Sequence, residues 1–263
     1  MFSITAYGTL TKTGSVECER QKDTYKEEVD MRIMQISPGQ FSPEEIKIRQ
    51  EYAESLCSPG TSVTVVNLEG PISATDDVSL SLMVPGVIKR VREAEGKGYH
   101  AAVDACFGDP GLEAAKTAAK IPVVGFGEST YHTACLLADK WGLITLTREW
   151  VPIFWRRAKV YGVSERIASI KTVDIPVLEF RRRRDELENR FVELAKEHIK
   201  EGAQLIIVAC GAMLPILGVG TRKRLTEKLG IMIIDPTATA LRVAEMLVGL
   251  GIAQSKIAFP LAE

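Results

Sequence analysis

Cys106 and Cys210 are the side chains whose placement suggests chemistry. Each ends an apolar run, HAAVDACFG (100–108) and AQLIIVACG (203–211), at the entry to a glycine turn. The flanking segments 100–130 and 202–240 repeat one order: apolar run, Cys-containing turn, helix-like stretch, second apolar run, and a turn rich in Ser and Thr. The second copy carries several extra residues in its loop. In open α/β sheets the ligand crevice lies beyond the C-terminal strand ends, next to the N-termini of the following helices. Unpaired N–H groups there stabilise a thiolate or a developing oxyanion and draw a thiol from its reference pKa of about 8.5 toward neutrality. If two such units are related by a pseudo-two-fold axis, their cysteines approach one bound carbon from opposite faces. One thiolate and one thiol so placed can remove a proton on one face and return it on the other.

Other candidates read more plainly. Cys18, Cys57 and Cys135 are expected to act as small hydrophobes. Five scattered cysteines, an odd number, point to reduced thiols. No C-x-x-C or H-x-x-x-H spacing occurs, and the three histidines are His100, His132 and His198, so no metal site is expected. His132 is the imidazole nearest to a plausible cleft, although a solvated role fits it better, and His198 reads as a helix-surface residue. Gly125-x-Gly127 and Gly218-x-Gly220 lack the rest of a dinucleotide fingerprint, and no Walker-type loop is present, so no cofactor is expected. Asp109 reads as a helix N-cap, and Arg181–Arg184 as the solvated start of the amphipathic helix DELENRFVELAKEH.

The elements that must position the two thiols follow from periodicity. Residues 1–30 are polar and without sustained period, and read as an arm. A buried strand MRIMQIS (31–37) precedes Pro38-Gly39, and Ser42-Pro43-Glu44-Glu45 offers a capping box for a helix toward Leu56. Strands TSVTVVNL (61–68), HAAVDACFG, IPVVGFG (121–127), WGLITLT, AQLIIVACG and GIMIIDP alternate with helical stretches that include VPGVIKRVREAEGKG, one opened by Asp109-Pro110, 181–200 and the 220s. The pattern predicts an α/β fold of two similar lobes, each a mostly parallel sheet flanked by helices, with the site between them. Lobe one is expected over 31–122 plus 233–263, and lobe two over 123–232.

Composition narrows the partners. With 46% apolar and 25% charged residues the 263-residue chain is globular, so disorder is excluded as its main state. Thirty-three basic against 34 acidic residues give a net charge of −1, hence no general attraction to nucleic acid or an anionic membrane. No apolar run approaches the ~20 residues that cross a bilayer, and the first residues lack the apolar core of a signal peptide. A cytoplasmic protein with a small-molecule partner is expected.

The motifs resemble the aspartate/glutamate/hydantoin racemase superfamily, within it the hydantoin racemase-like branch that includes allantoin racemases. The resemblance rests on Cys106-Phe107-Gly108-Asp109-Pro110-Gly111-Leu112-Glu113, on Ile121-Pro122-Val123-Val124-Gly125-Phe126-Gly127-Glu128, on Ala209-Cys210-Gly211-Ala212-Met213 and on the Gly70-Pro71-Ile72-Ser73 turn, and covers about residues 31–251. Two motifs depart from the family: Ser37-Pro38-Gly39-Gln40 replaces the usual asparagine-proline-asparagine-threonine turn, and Ala209–Met213 replaces glycine-cysteine-alanine-glycine-methionine. The resemblance implies a cofactor-independent racemase or epimerase and, by analogy, a homo-oligomer. Cys106 and Cys210 would be the acid–base pair. Ser37, Phe107, Gly108, Gly127, Thr147, Gly211 and Ala212 would contact substrate, with backbone amides of the two cysteine turns holding its carbonyls. The expected substrate has a carbon acid next to a carbonyl, such as a 5-substituted hydantoin or allantoin. Alternatives are an aspartate or glutamate racemase, a cis–trans isomerase or decarboxylase of the same superfamily, and a binding or sensing protein that kept the fold alone.

Overall fold

The computed structural model describes residues 30–262, so the expected arm and Cys18 lie outside the described residues. Two four-stranded parallel sheets carry the fold. The first contains β1 (Met31–Ser37), β2 (Thr61–Asn67), β3 (Ala101–Asp104) and β4 (Val123–Gly125), in the order β2-β1-β3-β4. The second contains β5 (Trp141–Thr145), β6 (Ile167–Thr172), β7 (Leu205–Val208) and β8 (Met232–Ile234), in the order β6-β5-β7-β8. The two orders are the same when strands are counted within each sheet, and Cys106 and Cys210 each follow the third strand. Sheet membership changes after Gly125, whereas the expected lobe boundary fell at 123. Val123–Gly125 pairs with β3, and the extended segment expected over 121–127 stops there because Phe126 already opens a helix. Likewise Ile233 and Ile234 pair with β7 in the second sheet although they were assigned to the first lobe.

Helices cover both sheets. After β1, α1 (Pro43–Glu54) starts as its sequence requires: Ser42 Oγ accepts from the Glu45 N–H, the Glu45 carboxylate accepts from the Ser42 N–H, and Pro43 occupies the first turn. The helix α2 (Asp77–Gly96) begins at an Asp76 cap and runs through Pro85, seven residues ahead of the expected start at Val84. A short α3 (Leu112–Ala118) is capped by Gly111, not by Asp109, because Asp109 takes a left-handed backbone (φ 46°) and turns its carboxylate elsewhere. Beyond β4 comes α4 (Phe126–Cys135), and α5 (Trp150–Val160) lies between β5 and β6. In the second half, α6 (Arg184–Lys200) buries Leu187, Phe191, Leu194 and Ala195 on one face. A one-turn α7 (Met213–Leu217) leaves the Cys210 turn, α8 (Thr221–Leu229) leads to β8, and α9 (Pro236–Gly249) follows, after which Gln254 bonds the backbone of Val123 on β4. The last helix returns to pack on β1, β3 and β4 of the first sheet, while α4 reaches β7 of the second. The inner strands β3, β5 and β7 are buried on both faces, as parallel strands between helices must be, while the edge strands β2 and β6 are only partly buried.

Candidate active site

The cavity nearest both cysteines opens between the two sheets at their C-terminal edges and encloses about 440 Å³ of space, open solvent included. Its apolar wall comprises Phe41, Leu146, Trp150, Phe154 and Val177, and its polar groups are Arg49, Ser73, Cys106 and Cys210. The cysteine turns abut. A Cβ on Gly211 would press into the Phe126 ring and lie 3.0 Å from the carbonyl oxygen of Ala105, so glycine after Cys210 is what lets the two turns meet.

The two turns share a local design. The Cys106 carbonyl accepts from Asp109 N–H (3.0 Å) and the Cys210 carbonyl from Met213 N–H (3.4 Å). The N–H of Ala212 donates to Cys210 Sγ (3.4 Å), so this amide serves the sulfur directly. Both cysteines are nevertheless buried, at 4% and 8% exposure, and burial pushes both thiols up, against the expectation that the turn would draw them toward neutrality. The rise is larger at Cys106, where the Asp104 carboxylate adds to burial; at Cys210 the Ala212 N–H and the Arg49 guanidinium oppose it.

Behind Cys106 lie two buried carboxylates. Asp104 Oδ1 accepts from Cys106 N–H (3.3 Å), and Oδ2 has no partner among the described residues. Burial and the neighbouring Asp109 hold the Asp104 carboxyl well above the usual carboxylate range. Asp109 accepts from the N–H groups of Gly127 (2.9 Å) and Glu128 (2.7 Å) and from Tyr161 Oη (2.6 Å), with burial raising its carboxyl to about 7. It thus caps α4 across the structure and fixes the Cys106 turn to it. Gly125 and Gly127 leave the room that this carboxylate fills, since a Cβ at either would meet it.

The sequence-derived contact residues divide. Phe107, Gly211 and Ala212 line the cavity with the two cysteines. Ser37, Gly108, Gly127 and Thr147 do not. Ser37 is buried at the end of β1, its carbonyl accepting from the N–H groups of Gly39 and Leu68. Gly108 is wedged against Leu80 and Trp150, and Gly127 serves Asp109. Thr147 lies in the loop after β5, where its carbonyl accepts from Trp150 N–H (3.2 Å). The loops 38–41 and 70–75 at the mouth are joined by a Gly39–Ser73 bridge and by Gln40 N–H donating to the Ile72 carbonyl (2.9 Å). Arg49, absent from the sequence-derived set, is the cavity's buried cation. A signal for it existed, because Arg49 lies three and four residues before Tyr52 and Ala53 on the buried face of α1.

The Asp/Glu/hydantoin racemase family model matches residues 46–244. The chain belongs to this family. It is 31% identical to the hydantoin racemase of Paenarthrobacter aurescens over 229 residues, 86% of this chain and 94% of that one. It is 32% identical to the hydantoin racemase of Rhizobium meliloti over 190 residues, 71% and 76% of the two chains. Among solved structures it superposes on the allantoin racemase from Klebsiella pneumoniae with a TM-score of 0.81 at 29% identity, covering 89% of this chain and 95% of that one. These likenesses place this family member among the isomerases, with activity of the hydantoin or allantoin racemase type. Among the described residues no helix is long and apolar enough to cross a membrane.

Proposed function

We propose that this family member racemises a cyclic ureide, a 5-substituted hydantoin or allantoin, by a two-cysteine mechanism. The observation that carries the reading is the pair of like turns, each after the third strand of its sheet, meeting on one cavity. The thiolate of one cysteine takes the proton from the carbon next to the carbonyl, and the C–H electron pair moves onto the carbonyl oxygen as an enolate. The opposing thiol then protonates the other face, and the electron pair returns to carbon. Each turnover inverts the centre and exchanges the roles of Cys106 and Cys210. The apolar wall suits this chemistry because it keeps bulk water from the enolate while the thiols act.

Proton NMR in deuterium oxide tests the reading, with single enantiomers of hydantoins, allantoin, aspartate and glutamate and with optical rotation followed alongside. Loss of the Cα proton together with loss of rotation is expected for a cyclic ureide. Exchange with an amino acid alone would replace the substrate, and no exchange across the panel by folded protein with reduced thiols would overturn the mechanism.

A further inference from the structure

We propose that Arg49 is a positioning residue that makes Cys210 the first of the two thiols to ionise. The inference rests on reading Cys106 and Cys210 as an acid–base pair and adds to it which of them loses its proton more readily. Arg49 is 8% exposed, its guanidinium lies 3.9 Å from the Phe41 ring centroid, and it faces the cavity beside Cys210. It forms no hydrogen bond or ion pair among the described residues, and its Nε is buried without a partner. A guanidinium stays protonated in a protein, so a buried one without a counter-ion leaves an uncompensated charge. Glu45, one turn earlier on α1, is committed to the helix cap with Ser42. Of the groups lining the cavity with Arg49, the thiols are those that can become anionic, and the helix that packs on α1 is α7, which leaves the Cys210 turn.

The surroundings of Cys106 offer buried acidic groups in place of a free cation. Asp104 touches its backbone and Asp109 closes the same turn, both buried. Arg157, from α5, donates to the Asp109 carbonyl (3.1 Å) and pairs with Glu113 (3.5 Å), so that cation is already partnered. Cys210 has the Ala212 N–H on its sulfur (3.4 Å) and shares its cavity with Arg49 from α1 and with Cys106. A cation at the cavity beside one sulfur and buried acidic groups behind the other favour ionisation of Cys210 ahead of Cys106. The architecture supplies this asymmetry: α1 packs on α7, the helix that leaves the Cys210 turn, and Asn67 fixes Phe41 beneath the guanidinium through two backbone bonds (3.0 and 2.8 Å).

The test is alkylation by iodoacetamide across pH on the full chain without substrate, resolved at each cysteine by peptide mass spectrometry. Midpoints are compared rather than rates, so unequal access to the sulfurs cancels. Cys210 should show the lower midpoint. In Arg49→Met that midpoint should rise by about one pH unit or more, which is roughly tenfold slower labelling below it, while Cys106 keeps its profile and reports an intact cavity. Arg49→Lys should retain most of the native Cys210 profile. A lower midpoint at Cys106, an unmoved Cys210 in Arg49→Met, or equal shifts of both thiols would overturn the proposal. Because no substrate is present, failed racemisation and failed charge assignment are separate results.

Discussion

Cys106 and Cys210 each place a carbonyl under the N–H three residues on, at 3.0 and 3.4 Å. That likeness was legible, since both residues end apolar runs at glycine turns in matched order. Their differences were not, because they come from residues distant in sequence: Arg49 enters the shared cavity from α1, and Asp109 is drawn from its own helix start to the N-terminus of α4. The glycines around β4, which fit no cofactor fingerprint, are explained by the same carboxylate. Removing either thiol should expose the division of labour. Cys106→Ala and Cys210→Ala should each lower racemisation by about a thousandfold, within the usual range for a lost acid–base group. Cys106→Ser should still exchange the Cα proton of one enantiomer with deuterium, without inverting it. Full racemisation by either alanine variant, read by optical rotation, would remove the two-cysteine reading.

Helix α6 shows what a helix can hide from a sequence reader. His198, expected on its surface, is fully buried, with Nε2 3.0 Å from the Leu143 carbonyl and Nδ1 2.8 Å from Ser169 Oγ. The spacing contained the answer, since Leu194 and Ala195 precede it by four and three residues on the buried face. Its polarity argued the other way, and two hydrogen bonds to the neighbouring sheet resolve the conflict. The ring sits directly over Gly142 of β5, where a Cβ would collide with it. Gly142→Ala should therefore destabilise the protein by about 1–3 kcal/mol, seen as a lower urea midpoint with little change in m-value. An unchanged midpoint would show that α6 moves aside freely. The basic run before this helix also does more than meet solvent, since Arg181 pairs with Glu44 at the start of α1 (2.5 Å).

At the scale of the whole molecule, the parallel α/β class and the two similar halves followed from alternating apolar runs and amphipathic stretches. The strand β6 was harder to see, because its residues are mostly half-buried and form no apolar run at the sheet edge. Global stability should carry the signature of His198, whose burial lowers its pKa from 6.5 to about 4. Between those values the unfolded chain binds the proton and the folded one does not. This contribution is therefore intact above pH 6.5 and lost as pH falls toward 4. Asp109 acts with the opposite sign, because a carboxyl raised to about 7 gives stability that declines as pH rises toward that value. Comparison with His198→Gln isolates the histidine: from pH 7 to 4.5 the native protein should lose on the order of 2 kcal/mol more than the variant in urea unfolding. A constant difference across that window would rule the histidine out as the source.

The return of α9 to the first sheet governs when that sheet can be finished. A ribosome releases β1 to β4 long before Pro236, so the surface meant for Ala240, Leu241 and Ala244 waits open while the entire second sheet is synthesised. The halves look like two units made one after the other, yet the first to emerge is completed only by the last helix of the chain.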